Sequence, residues 1–207
     1  LELNVTFYRF PELSSLQSWH ERSPADFNFA VKAPRLITHY KKFKDTGGLI
    51  SDFYGVAKEG LREKLGCILF QLPPDLPYSA STLENIIMHI DPAFKNVVEF
   101  RHNTWWNEKV IHALTNSSIS FCSISYPGLP DTVICNTAIV YYRYHGVPRL
   151  YFSPYSKDFL QQSATDIRKN EHVREAYLYF NNTAELSAIK NAAYLQKLLL
   201  KKTSNSL

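Results

Sequence analysis

At 207 residues, with 45% hydrophobic and 20% charged side chains, the chain can bury one sizeable core without metal or disulfide support. A formal charge of +4 is milder than a dedicated nucleic-acid binder usually carries. No apolar run approaches the ~20 residues of a membrane span, and no secretory h-region is present.

Cys67, Cys122 and Cys135 are odd in number, lack CxxC spacing and sit in or beside apolar runs. They read as free thiols of a reducing compartment, so a soluble, cytoplasmic protein is expected. The aromatic share of 14% is high and fits a large aromatic core or an aromatic-lined cleft.

In chain order, residues 1–8 read as a strand already in full flow, without Met or lead-in, so an upstream segment is expected to be missing. Residues 12–22 read as a helix and 27–32 as a strand ended by Pro34. Residues 48–64 follow as a helix, with Gly66 as its breaker, and 67–72 as a continuous apolar strand stopped by Pro73-Pro74. Residues 81–90 read as a helix with Ser81 as N-cap and Glu84 completing a capping box.

Residues 96–101, 119–125, 138–145 and 176–181 read as further strands. Helices are expected at 105–116, 156–169 and 184–201. The expected organisation is one domain over 1–201 and a tail over 202–207.

Seven apolar strands alternating with helices imply a parallel sheet covered on both faces. A TIM-type (β/α)₈ barrel lacking its first strand and helix fits better than an open doubly wound sheet. An open sheet would place its site at a switch point, usually with a glycine-rich turn, and no GxGxxG or Walker pattern occurs among only 7 glycines.

Side chains alternate along a strand, so parity groups residues by face. Glu2, Asn4 and Thr6 are expected on one face, as are Ala30 with Lys32, and Gln71 follows Leu69. Glu99 pairs with Arg101, with His102 one step on. Tyr141, Arg143 and His145 share a face, as do Tyr177, Tyr179 and Asn181. Facing inward, these make a net-positive mouth: two carboxylates against Lys32, Arg101 and Arg143, plus His145.

Such charges either pair among themselves, for example Glu99 between Arg101 and Arg143, or hold a phosphate or carboxylate. Glu99 and His102 could ligate a metal, but no HExxH, cysteine cluster or Asp-rich loop supports one, and no cofactor is expected. His39, His89, His112 and His172 read as surface residues. Trp105 or Trp106 could close over a flat ligand or simply pack between helix and barrel. Lys41, Lys42 and Lys44 read as a solvated basic run.

Six segments now become familiar. They are Val5-Thr6-Phe7-Tyr8-Arg9-Phe10-Pro11; Phe29-Ala30-Val31-Lys32-Ala33-Pro34-Arg35 with Thr38-His39; Ile68-Leu69-Phe70-Gln71-Leu72-Pro73-Pro74; Val98-Glu99-Phe100-Arg101-His102 with Trp105; Tyr144-His145-Gly146; and Tyr179-Phe180-Asn181-Asn182. In this order, spanning Glu2 to about Leu200, they resemble the YecE-like family, domain of unknown function 72.

The resemblance implies a TIM-type barrel with a shared polar mouth, and no established reaction. Family members normally open with a strand bearing a Gly-Thr-Ser-Gly-Trp-like motif, which is absent here. Where the family often has an Asp before a Thr-Pro or similar turn, this chain has Ser125.

The expected function is binding or transformation of a small anionic ligand, phosphorylated or carboxylated, at the C-terminal mouth. Lys32, Arg101 and Arg143 would hold the anion. Glu99 would act as base or orienter, with His145 or His102 as proton-transfer partner. Asn4, Thr6, Tyr8, Arg35, Gln71, Trp105 and Asn181 complete the expected ligand contacts. A nucleic-acid-binding or repair-like barrel, with Trp105 or Tyr8 stacking on a base, is the alternative; a partner-binding module without chemistry is the third reading.

Overall fold

The computed structural model describes residues 1–200 and divides at Ile119/Ser120 into two compact units. The first carries β1 (Glu2–Leu3), α1 (Val5–Tyr8), α2 (Leu13–Arg22), β2 (Phe29–Lys32), a π-helical turn (Leu36–Tyr40), α3 (Gly47–Leu61), β3 (Leu65–Gln71), α4 (Ala80–His89), β4 (Lys95–Glu99) and α5 (Glu108–Asn116). Its strands pair in parallel, in sequence order, with Lys32 level with Leu69 and Gln71 level with Glu99.

The second unit carries β5 (Ser120–Ser125), β6 (Ile139–Tyr144), α6 (Lys157–Arg168), β7 (Glu175–Phe180) and α7 (Ser187–Leu200). Its strands also pair in parallel and in sequence order. Among the described residues, a helix follows every strand except β5. This strand–helix alternation with wholly parallel pairing is the construction of a TIM-type (β/α) barrel, an α/β fold.

Packing fixes which strand face carries the polar groups. In β3, Phe70 packs against Phe43 and against Tyr54 of α3. In β4, Asn96 accepts a 2.6 Å hydrogen bond from the Tyr54 hydroxyl. Leu69 and Gln71, and Val97 and Glu99, therefore lie on the face away from the helices. In β6, Tyr142 and Tyr144 stack at 4.0 Å and pack with Leu160 and Ala164 of α6 and Leu195 of α7. That sets Tyr141 and Arg143 on the opposite face.

Helix ends follow local chemistry. Ser79, Asn107 and Ser156 cap α4, α5 and α6 by accepting from the backbone amides of Thr82, Val110 and Phe159. The Lys64 ammonium, buried, donates to the carbonyls of His20 and Ser23 at 2.5 and 2.9 Å, satisfying acceptors that the end of α2 leaves open.

Three expectations change. The opening strand is only two residues long, because Asn4 turns into helical backbone and the Thr6 hydroxyl lies 3.1 Å from the Leu3 carbonyl and 2.6 Å from the Lys32 carbonyl. The shared face of Glu2, Asn4 and Thr6 disappears with it. Gly66 does not break α3: the helix stops at Arg62, in left-handed backbone at φ 49°, and Gly66 lies within β3. The cap of α4 is Ser79 rather than Ser81. Lys201 and the expected tail over 202–207 lie outside the described residues.

Candidate functional site

In the first unit the polar groups collect at the C-terminal ends of β2, β3 and β4. Glu99 is the last residue of β4 and fully buried; its Oε1 accepts from Arg101 Nε at 2.5 Å. Gln71 ends β3 beside it, buried, and donates through Nε2 to its neighbour's carbonyl, Leu72 O, at 3.2 Å. Lys32 ends β2; its Nζ lies 3.8 Å from the centroid of the Phe7 ring, a cation–π contact inside the fold. The α1 turn supplies that ring, and Thr6 ties the turn to the Lys32 carbonyl.

His39 joins this group, although its place in a short loop-like segment reads as surface. The π-helical turn brings its ring edge-on to Phe7 at 4.9 Å, and the Thr38 hydroxyl lies 2.9 Å from Nδ1. Its pKa is pushed down to about 4, first by desolvation and then by Lys32 and Arg101, against opposing pulls from Asp75 and Glu99.

The sign follows directly. Below about pH 6.5, the ordinary histidine value, the unfolded chain takes up a proton that the folded chain refuses until about pH 4. Stability contributed by neutral His39 is therefore present at pH 7 and lost as pH falls through that window. In urea denaturation, the loss between pH 7 and 4.5 is expected to be smaller in His39→Gln than in the parent chain. An equal loss in both would place the effect elsewhere.

The second unit holds its own constellation at the end of β6. Arg143 and His145 are buried. His145 donates its backbone N–H to the Ser125 carbonyl at 3.2 Å and accepts at its own carbonyl from the Tyr151 amide at 2.7 Å. Its Nδ1 lies 3.4 Å from Asn181 Nδ2, and the rings of Tyr126 and Tyr151 stand edge-on at 6.0 and 6.3 Å. Tyr141 stacks with Tyr177 and meets Tyr179 at a tilt of 45°, so the expected shared faces of β6 and β7 are present.

A clamp below His145 was not foreseen. Gly146 donates its N–H to the Tyr155 hydroxyl oxygen at 2.7 Å, and burial pushes that phenol up to about 12, keeping it protonated. Asn191 accepts from the Tyr155 amide and from Asn182 Nδ2, and donates to the Tyr155 carbonyl at 3.0 Å. In the sequence Asn182 stands out only as part of the Tyr179-Phe180-Asn181-Asn182 segment. Asn191, on α7, gives no signal short of the fold itself.

Other expected residues are placed elsewhere. Trp105 is fully buried, stacked on Phe100 at 4.4 Å with its indole N–H donated to the Leu76 carbonyl, so it packs the loop and does not close over a ligand. His102 caps a 3₁₀ turn at Asn103–Trp105 through Nδ1, which lies 2.9 Å from the Thr104 hydroxyl. Asn4 donates to Glu2 Oε1. Tyr8 and Arg35 are exposed. Lys42 of the basic run reaches Asp75 at 3.7 Å. Among the described residues no group of three or more His, Cys, Asp or Glu side chains is arranged to hold a metal. No helix among them is long and apolar enough to cross a membrane.

The profile of the family described as protein of unknown function DUF72 matches residues 1–206. The UPF0759 protein YecE of Escherichia coli K12 is 27% identical over 103 residues, a match covering 49% of this chain and 38% of YecE. The chain thus matches well under half the length of that relative.

The crystal structure of a DUF72 family protein from Thermotoga maritima MSB8 aligns with TM-score 0.82 and 30% identity, over 96% of this chain and 83% of that one. A DUF72 family protein from Enterococcus faecalis V583 aligns with TM-score 0.83 and 17% identity, over 100% and 87%. With its ordered motifs, its parallel strand–helix construction and the profile match all in agreement, the chain belongs to the DUF72 family.

Proposed function

We propose that the protein binds a small anionic ligand, phosphorylated or carboxylated, at the C-terminal strand ends of its first unit, with Lys32 and Arg101 as the cations. The observation that carries this reading is the grouping there: Lys32 at the end of β2 and Arg101 just past β4, two cations at neighbouring strand ends with the buried Glu99 carboxylate orienting the second. The neighbouring His39 imidazole, whose pKa is lowered first by desolvation, is lowered further by Lys32 and Arg101 against Asp75 and Glu99, which agrees with both cations lying close to this strand end.

Arg101 offers a fork for two acceptor oxygens, and Lys32 a point charge. Glu99 orients Arg101 through the 2.5 Å bond and is proposed as the base. The second unit is proposed to have a constellation of its own, with Arg143 as its cation and His145 as its proton-transfer group.

The test is thermal unfolding in sodium phosphate against sodium chloride of equal ionic strength. At about 100-fold over Kd, one bound anion stabilises by about 2.7 kcal/mol, or about 5–10 °C in a chain of this size. The parent chain is expected to show that shift and Lys32→Met to lose most of it. Equal shifts in the two proteins, or none in the parent chain, would overturn the reading.

A further inference from the structure

Near the Lys32 ammonium the first unit keeps three large side chains in water: Tyr8, Arg35 and Tyr40. Tyr8 is 68% exposed and Tyr40 65% exposed, where a packed core would have absorbed them. The Arg35 guanidinium lies between them, 5.8 Å from the Tyr8 ring and 5.4 Å from the Tyr40 ring. The group is continuous with Lys32: Tyr8 meets Phe7 edge-on at 5.1 Å, and Phe7 is the ring that Lys32 lies over.

Each part is held by the local fold. Tyr8 closes the α1 turn that Thr6 fastens to β2, and Arg35 precedes and Tyr40 ends the π-helical turn that carries His39. Two phenol faces and a planar cation, set near the Lys32 ammonium, form a surface that a flat ring can stack on.

We propose that the ligand's anionic group is attached to a flat heteroaromatic ring, the class of a nucleoside monophosphate, and that Tyr8, Arg35 and Tyr40 form its stacking platform. The proposal rests on the anion reading above and adds the chemical class of the ligand. The anion goes to Lys32 and the ring stays outside on the tyrosines. Stacking on an aromatic side chain contributes about 1–3 kcal/mol per ring, which is about 5- to 150-fold in affinity.

The experiment is calorimetric titration of the full chain with adenosine 5′-monophosphate, ribose 5-phosphate and adenosine. Adenosine 5′-monophosphate is expected to bind at least tenfold tighter than ribose 5-phosphate. Tyr8→Ala and Tyr40→Ala, both exposed and so without a folding penalty, should bring the nucleotide close to ribose 5-phosphate and leave ribose 5-phosphate itself unchanged. Lys32→Met should weaken both phosphates and not adenosine.

If the nucleotide and ribose 5-phosphate bind equally in the parent chain, or the tyrosine variants weaken both alike, the platform is overturned while the anion reading stands. If Lys32→Met leaves all three ligands unchanged, the anion reading fails and the proposal fails with it.

Discussion

Glu99→Gln is expected to cost about 3–5 kcal/mol of stability, read by urea or thermal unfolding, although it changes almost no volume. Glu99 is 0% exposed and Arg101 only 12% exposed at its side chain, so the pair is desolvated on both sides. Neutralising the carboxylate leaves a guanidinium out of water facing an amide, and the attraction that offset its burial is gone.

The converse experiment separates architecture from binding. Glu99→Met combined with Arg101→Met removes both charges at once, so neither desolvation penalty remains, and much of the lost stability should return. The same double variant should lose the phosphate-dependent shift, since one of the two proposed anion ligands is absent. A double variant that keeps the full phosphate shift would remove Arg101 from the binding site. One that stays as unstable as Glu99→Gln would show that packing, not charge, dominates at this position.

Much of this was readable from residue order. Strand parity placed Glu99 with Arg101, Tyr141 with Arg143, and Tyr177 with Tyr179, because successive side chains of a strand point to opposite faces. The opening segment was misread for a matching reason. Leu1-Glu2-Leu3-Asn4-Val5-Thr6 alternates like a strand, but the Thr6 hydroxyl reaches the Lys32 carbonyl across 26 positions, and a contact of that span leaves no local trace. His39 was set aside as surface for the same kind of reason: only the π-helical turn over Phe7 carries it to the cations. Trp105 erred the other way, since a tryptophan after a strand end has the same sequence whether it covers a ligand or, as here, Phe100. Local periodicity carried the frame, and long-range side-chain-to-backbone bonds decided the rim of the site.

Gly146→Ala is expected to cost about 3 kcal/mol, or about 6–12 °C, from two sources. Gly146 has φ +84°, where a Cβ is strained against its own backbone. A Cβ there would also stand 3.1 Å from both Asn182 Cβ and the Ser153 carbonyl oxygen. Neither neighbour yields easily: Asn182 is buried and donates to Asn191 and to the Ser153 carbonyl, and the Gly146 amide is held by the Tyr155 hydroxyl. Since His145 is stitched into this loop through the Tyr151 amide, the strain should also reach the imidazole, visible as a shifted His145 resonance. Gly55→Ala is the control. It lies inside α3 at ordinary helical φ with nothing within 4 Å of the new methyl, so it should raise stability by up to about 1 kcal/mol. Opposite signs for the same chemical change would show that the loop after β6 is held by backbone geometry and the Asn182–Asn191–Tyr155 clamp. A Gly146→Ala chain as stable as the parent would mean that the clamp yields, and that His145 is not rigidly placed.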